Sequence, residues 1–224
     1  MKKNILVTLL FVIITNPAPA ISIPAPFIGN NQDGLRCIGN SKGYGPFDYS
    51  KRHTIRPYDL SIVEGAHFDS KVQNLTGGTK VAAQLVSDLT YTIRAWPNHH
   101  KALLSIIRLQ IGIDKKLRKE KLSPRAECFL QRATHFSPKD PVPYSLYAYY
   151  LTKKGDLKKA KELYKKSLEI APGNPKIEYN FSLLLIKLKQ YDEALEYAKL
   201  AYLHGNPPKE LKNKLRELNV WKNQ

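Results

Sequence analysis

The stretch PVPYSLYAYYLTKKGDLKKAKELYKKSLEIAPGN, residues 141–174, decides the fold together with its partial copies on either side. Its small residues and its closing proline recur at a fixed period of 34 residues. The matching positions are Ala126, Leu130, Ala133 and Pro138, then Ala160, Tyr164, Ser167 and Pro172, then Ala194, Ala198 and Ala201. A constant period of this length indicates stacked copies of one unit, each burying its core against its neighbours. Gly155-Asp156 marks the turn inside the unit, so the sequence predicts an all-α fold of paired helices.

The repeated unit resembles the tetratricopeptide repeat (TPR). That family places large side chains at fixed positions and small ones where its helices approach each other. In residues 141–174 the large set is Tyr144, Tyr147, Leu151, Leu157 and Tyr164, and the small set is Ala148, Ala160 and Ser167. The resemblance is clear over residues 141–208 and fair over residues 98–138. It implies a TPR-like solenoid of helical hairpins that binds other proteins and is not an enzyme.

Two strings before the repeats, GPFDY at residues 45–49 and PNHH at residues 97–100, are similar to a group of exported bacterial TPR proteins with no assigned activity. This likeness implies that the N-terminal region and the repeats form one unit. It supplies no chemistry.

Changes in composition divide the chain into seven segments. Residues 21–60 are rich in glycine and proline and lack helical periodicity. The predicted segments are a signal peptide (1–20), a loop-rich N-terminal arm (21–60), a helical pair forming a degenerate repeat (61–97), a TPR-like repeat with a basic insertion within 111–124 (98–140), two TPRs (141–174 and 175–208), and a C-terminal capping helix with a tail (209–224). We expect Gly77-Gly78 to separate the two helices of the degenerate repeat.

The first twenty residues have the pattern of a secretory signal peptide. Lys2 and Lys3 precede an uncharged apolar run over residues 5–14, and Ala18-Pro19-Ala20 follows. The run is about half the roughly 20 residues that a membrane-spanning helix needs. We expect cleavage near Ala20, a periplasmic or secreted protein, and no membrane span after cleavage; an uncleaved signal anchor is the alternative.

The chain has two cysteines, Cys37 and Cys128. An even number of cysteines in a chain sent to an oxidising compartment predicts one disulfide between them. The sequence alone does not show that the two residues meet.

The chain is strongly basic, with a formal net charge of +17. In a cytosolic protein this excess would suggest nucleic acid as a partner, but export argues against that interpretation. The lysines are expected to form a solvated face that steers acidic partners. Binding of an anionic envelope polymer through the basic surface is the alternative.

The histidines do not have the spacing of a metal site. His99 and His100 are adjacent, and neighbouring residues of a helix point about 100° apart. Neither H-x-x-x-H nor C-x-x-C occurs in the sequence. A structural or capping role for His67, His99 and Glu64 is therefore favoured over metal binding, and we predict no cofactor and no catalytic residue.

A peptide-binding groove is implied by the TPR resemblance, because the first helix of each pair lines the concave face in that family. The residues at the lining positions are Lys101, Ser105, Arg108, Tyr149, Lys153, Tyr179, Asn180 and Lys187. Asn180 stands where peptide-binding members place an asparagine that holds the ligand backbone. The basic, aromatic lining predicts a protein or peptide partner with an acidic segment. The expected function is an exported scaffold or adaptor that assists assembly of an envelope, secretion or pilus complex; binding through the arm or the convex face is the alternative.

Overall fold

A computed structural model describes residues 24–54, 56–76, 82–115 and 122–222 of the protein. The predicted signal peptide, Gly77-Gly78 and positions 116–121 of the basic insertion lie outside these ranges. The described residues form ten α-helices and, as their only β-structure, one isolated bridge between Asn30 and Arg36. The helices are α1 (Pro57–His67), α2 (Ser70–Asn74), α3 (Ala82–Ala95), α4 (His100–Lys115), α5 (Ala126–Phe136), α6 (Pro141–Lys154), α7 (Leu157–Ile170), α8 (Pro175–Lys187), α9 (Tyr191–His204) and α10 (Glu210–Glu217). The predicted all-α fold is confirmed.

Local sequence fixes the ends of the hairpins α6–α7 and α8–α9. Asp140 and Asn174 cap α6 and α8 by accepting hydrogen bonds from first-turn N–H groups, and a proline follows each cap. Gly155 ends α6 with a φ of 90°, a left-handed conformation that costs glycine little. Asp156 then caps α7 by accepting a hydrogen bond from the Lys159 N–H. The short polar segments between the repeats thus encode where each helix starts.

Small side chains bring the two helices of each hairpin together. Ala148, Ala160 and Ala194 are completely buried. Ser167 Oγ donates a hydrogen bond of 2.7 Å to the Pro141 carbonyl, so this polar member of the small set is satisfied inside its hairpin. The repeat positions found in the sequence are therefore the packing positions of the fold.

Successive helices from α3 to α9 pack against one another, and α10 packs against α8 and α9. Leu211 and Leu215 of α10 are completely buried. Leu218 is 39% exposed, because α10 ends at Glu217 and the following residue leaves the helical periodicity. The cap therefore has two core leucines.

Residues 57–95 contain three helices instead of the predicted pair. Helix α1 ends at His67, and Asp69 caps α2 by accepting a 2.9 Å hydrogen bond from the Val72 N–H. Phe68 lies between the two helices and is buried. Burial of this ring and the cap that follows it end α1 well before Gly77-Gly78, and α2 forms as an additional short helix.

The arm packs on α5. The disulfide predicted from the sequence joins Cys37 in the arm to Cys128 in α5 across 91 residues of chain. Phe27 contacts Phe129 edge to face, with ring centroids 5.3 Å apart. The arm is thus a part of the folded body.

Arg132 of α5 connects three segments from a fully buried position. Its guanidinium donates hydrogen bonds to the carbonyl oxygens of Ala25 at 2.6 Å, Ile93 at 2.8 Å and Arg94 at 3.2 Å. The last carbonyls of a helix lack intrahelical partners, so the arginine satisfies the end of α3 while it anchors the arm. Burial lowers the pKa of Arg132 to about 10, which leaves it charged at neutral pH.

No helix within the described ranges is long and apolar enough to cross a membrane.

Candidate peptide-binding groove

The first helices of the three pairs lie side by side, with α6 in contact with both α4 and α8. The predicted groove residues are distributed over these three helices. Lys101, Arg108, Lys153 and Lys187 are exposed, Tyr149, Tyr179 and Asn180 are partly buried, and Ser105 is buried. The structure therefore leaves seven of the eight side chains at least partly accessible.

Ser105 does not line an open groove. Its side chain is 1% exposed, and Ser105 Oγ donates a hydrogen bond of 2.8 Å to the Gln73 carbonyl of α2. Residues 101, 105 and 108 share one face of α4, so α2 covers the middle of that face, between Lys101 and Arg108. The prediction for Ser105 is wrong because α2, which the sequence did not reveal, covers this side chain.

Helix α6 presents an aromatic residue and a cation on one face. Lys153 Nζ lies 5.3 Å from the centroid of the Tyr149 ring, which places the ammonium over the ring face. Lys153 and Lys187 are separated by one repeat period, so they occupy equivalent positions on adjacent helices. Helices α6 and α8, which α2 does not cover, therefore each carry a cation.

An open pocket of about 330 Å³ lies beside the first two turns of α8. We call it the α8 pocket; its lining residues are Pro175, Lys176, Tyr179, Asn180, Asn206, Pro207 and Pro208. It contains two of the predicted groove residues, Tyr179 and Asn180, and none of its lining residues is acidic. The pocket offers apolar walls, one cation and amide groups, which suits an extended peptide with an acidic or carboxylate group.

The segment after α9 is held in position as the far wall of the pocket. Gly205 passes so close to α8 that an added Cβ would lie 2.8 Å from Pro175 Cβ, a distance that real contacts do not reach. Tyr202 Oη donates a hydrogen bond of 2.7 Å to the Pro208 carbonyl. These contacts fix both ends of residues 205–208, so the pocket is preformed.

The polar groups of the pocket are available for binding. Asn180 Nδ2 donates a hydrogen bond of 2.8 Å to the Lys176 carbonyl, and Asn180 Oδ1 has no partner among the described residues. Burial, with the Glu210 carboxylate nearby, raises the pKa of Tyr179, so its hydroxyl stays protonated at neutral pH. Asn180 thus offers an acceptor and Tyr179 a donor to a ligand backbone.

The histidines pair with carboxylates on neighbouring segments. His99 Nε2 lies 2.9 Å from Glu64 Oε1. His99 Nδ1 accepts a hydrogen bond from the Ala102 N–H, so Nε2 carries the proton that bonds Glu64. Burial lowers the pKa of His99, and the hydrogen bond from His99 lowers the pKa of Glu64. No group of three metal-binding side chains occurs in the part of the chain that the structure describes.

Sequence reasoning missed two features around the pocket. Glu178 and Ala198 stand at positions where TPRs have large apolar residues, yet both are buried. The structure shows that Glu178 accepts a hydrogen bond of 2.9 Å from His204 Nδ1, joining the start of α8 to the end of α9. The second feature is the wall at residues 205–208, for which the only sequence signal was Pro207-Pro208 directly after a helix.

One family model matches the chain, over residues 121–199; it is described as anaphase-promoting complex, cyclosome, subunit 3, a TPR-type repeat family. The match covers α5 to α8 and most of α9. Together with the period of 34 residues and the stacked hairpins, it shows that the repeats of this chain are of the TPR type. No curated protein sequence matches the chain significantly.

Solved structures of MamA are also similar. A crystal structure of MamA protein is 20% identical, covers 74% of this chain and 81% of its own, and has a TM-score of 0.45. The MamA RS-1 ArsTM double mutant is 18% identical, with 75% and 82% coverage and a TM-score of 0.44. MamA from residue 41 to the end, from Desulfovibrio magneticus RS-1, is 18% identical, with 75% and 88% coverage and a TM-score of 0.36. At these values the likeness assigns no function to this chain.

Proposed function

We propose that the protein is a non-catalytic scaffold that binds an extended segment of another protein along α6 and α8, with one end of the segment in the α8 pocket. The observation that carries this proposal is the pocket itself, preformed and lined by Tyr179 and Asn180. TPR-type folds generally act as interaction scaffolds, so a protein partner is the general expectation for this chain.

The charges around the groove favour an acidic segment. Lys153 and Lys187 are exposed on adjacent helices, and Lys176 lines the pocket. None of the three forms an ion pair with another described residue. A carboxylate of the partner would therefore meet an ammonium without displacing another carboxylate.

The covered face of α4 limits the length of the bound segment. Because α2 lies over Ser105, Lys101 and Arg108 flank the covered part of α4 and contribute little to binding. The bound segment crosses two helices, which lie about 8–10 Å apart in close packing, and continues along α8. A short linear segment of about five to eight residues fits this length at about 3.3 Å per residue.

We further propose that the protein acts after export, in the periplasm or outside the cell, where it assists assembly of an envelope, secretion or pilus complex. The support is the signal-peptide pattern of residues 1–20 and the disulfide between Cys37 and Cys128. N-terminal sequencing of protein purified from an envelope fraction should begin near Ile21. A sequence that begins at Met1 would contradict the cleavage.

The binding proposal is tested with the partner recovered by crosslinking in cells. The variant Asn180→Ala combined with Lys153→Ala should weaken the affinity at least about tenfold, the equivalent of about 1.4 kcal/mol. Lys115→Ala combined with Lys116→Ala removes two charges from the basic insertion and should leave the affinity within about twofold. Unchanged affinity of the groove variant, with its circular dichroism spectrum intact, would contradict the proposal.

Salt separates this function from the alternative, binding of an anionic envelope polymer. Apolar and hydrogen-bond contacts in the pocket persist at high ionic strength, whereas polyanion binding by scattered lysines falls steeply with salt. Salt screens the few exposed ion pairs of the groove, so capture of the partner should fall modestly between low and high salt, whereas a bound polyanion should be lost.

A further inference from the structure

A second pocket, of about 640 Å³, lies between α9, α10 and the segment that follows α10. We call it the C-terminal basic pocket; its lining residues are Leu195, Lys199, Lys212, Arg216, Val220, Trp221 and Lys222. It shares no lining residue with the α8 pocket. Its function is therefore separable from that of the groove.

Four of the seven lining residues are cations, and none is a carboxylate. They come from three segments: Lys199 from α9, Lys212 and Arg216 from α10, and Lys222 from the chain beyond. No ion pair of these four side chains occurs within the described residues. Like charges one helical turn apart, as at positions 212 and 216, destabilise a helix slightly, so folding alone does not explain the cluster.

The apolar side of the pocket is fixed in place. Trp221 N–H and Val220 N–H donate hydrogen bonds to the Leu215 carbonyl, at 3.1 Å and 2.9 Å. The Trp221 ring packs edge to face on Tyr202, with centroids 5.7 Å apart. Lys212 Nζ lies 4.9 Å from the centroid of the same ring, which holds the ammonium at the edge of the cavity. The cations therefore surround a preformed apolar floor.

We propose that the C-terminal basic pocket binds a phosphate-bearing group. A single carboxylate carries one charge and would leave most of the four cations without a partner. A phosphate with charge near −2, or two linked phosphates, matches the charge and offers several acceptor oxygens to Arg216 and the lysines. The carbon skeleton that carries the phosphate packs on Leu195, Val220 and Trp221.

Two sources supply this chemistry, a free or polymer-borne phosphate and a lipid headgroup. Leu203, one turn beyond Lys199 on α9, is 76% exposed, and Leu200 is 37% exposed. Leu203 shares the face of α9 that carries Lys199, so an exposed apolar side chain is available to the acyl region if the headgroup is that of a lipid. Both sources are therefore included in the test.

The test is a titration of the full-length mature chain with inorganic pyrophosphate, in which tryptophan fluorescence monitors binding. Trp96, the other tryptophan, is completely buried in the N-terminal half, so the signal reports Trp221. Trp221→Phe should abolish the fluorescence response. Lys212→Gln combined with Arg216→Gln should weaken binding at least about tenfold.

The matched control is Lys71→Gln combined with Lys139→Gln, which removes the same charge from exposed positions distant in sequence from the pocket. It should change the affinity less than about twofold. Equal weakening by both double variants would show delocalised attraction and overturn the proposal, as would citrate binding as tightly as pyrophosphate. Lys222→Gln, outside any helix, tests the same pocket should the α10 variant fail to fold.

Vesicles of phosphatidylcholine with and without phosphatidic acid identify the source. Retention on the phosphatidic acid vesicles alone, lost in the Lys212/Arg216 variant, supports the pocket and assigns a lipid headgroup. Pyrophosphate binding without vesicle retention supports the pocket and assigns a free or polymer-borne phosphate. Absence of both overturns the proposal.

Discussion

The N-terminal half of the protein, the arm with α1 to α5, and the C-terminal half, α6 to α10, are stabilised by different kinds of contact. The C-terminal half repeats one hairpin and relies on small buried residues such as Ala160 and Ala194. The N-terminal half uses single, non-repeated contacts: the Cys37–Cys128 disulfide and the buried Arg132. Regular packing suffices where each hairpin meets a copy of itself, whereas the irregular arm needs covalent and charged attachments.

The same contrast applies to binding. In the N-terminal half α2 covers α4 at Ser105, so the middle of this face is closed by the chain itself. In the C-terminal half α6 and α8 stay open, and residues 205–208 complete a pocket beside Tyr179 and Asn180. The N-terminal half is covered and held by the disulfide and by Arg132, and the C-terminal half presents the candidate binding surface.

Removal of the disulfide that attaches the arm should have the largest effect. Cys37→Ser combined with Cys128→Ser should lower the free energy of unfolding by about 4 kcal/mol, because the bond no longer restricts a loop of 91 residues in the unfolded chain. Urea denaturation measures the change, and added reductant should have no further effect on the variant. Labelling of two cysteines per chain in unfolded, unreduced wild-type protein would contradict the bond.

Removal of the charged attachment should have the next largest effect. Arg132→Met leaves the carbonyls of Ala25, Ile93 and Arg94 buried without their donor and should cost about 3 kcal/mol. The matched control is Arg108→Met at an exposed position, expected within about 0.5 kcal/mol of wild type. A cost for Arg132→Met as small as for the control would show that the hydrogen bonds do not stabilise the N-terminal half.

In the C-terminal half stability depends on the close packing of the two helices of each hairpin. Ala160→Leu forces a larger side chain between α6 and α7 and should cost about 2 kcal/mol. Lys158→Leu, exposed on the same helix, is the control and should be nearly neutral. Hydrogen exchange should show lost protection in α6 to α9 with little change in α3; uniform loss would mean that the two halves unfold as one unit.

Acid should weaken the N-terminal half by a smaller amount. The pKa of His99 in the folded protein is lowered by burial below its ordinary value of about 6.5, so the unfolded chain takes up a proton first as pH falls. The pKa of Glu64 is also lowered, which acts in the same direction. The contribution of His99 is complete above about pH 6.5 and is lost as the pH falls below it, whereas the contribution of Glu64 is lost only below its ordinary pKa of 4.5.

Denaturant midpoints at pH 7 and pH 5 measure this loss. His99→Gln, which offers a neutral donor to Glu64, should be less sensitive to pH than wild type over this interval. The same acid sensitivity in the variant and in wild type would exclude His99 as its source.

The sequence predicted the C-terminal half well, because a period of 34 residues and its caps are local signals repeated several times. It also predicted the disulfide, since two cysteines allow one pairing. It did not predict α2, because a five-residue helix has no periodicity of its own and depends on the Asp69 cap and on packing against α3 and α4. The error at Ser105 follows from that omission.

The pocket and the buried pairs were beyond sequence reasoning for a related reason. Glu178 meets His204 across 26 residues, and Glu127 accepts a hydrogen bond from Tyr147 Oη across 20 residues. A charged residue at an apolar repeat position predicts poor packing when only the sequence is known, because its partner is distant along the chain. The loop wall at residues 205–208 depends on the close approach of Gly205 to Pro175, which no local pattern encodes.

Site-specific photo-crosslinking in intact cells shows whether the open face of α6 and α8 holds the partner while the covered face of α4 does not. A photoreactive residue is placed in turn at Lys153 and Asn180 on the open face, at Arg108 on α4, and at Glu169, exposed on α7. We expect one crosslinked partner protein from positions 153 and 180, and little product from positions 108 and 169. Equal yields of that partner from position 108 or 169, or product from those positions alone, would contradict it.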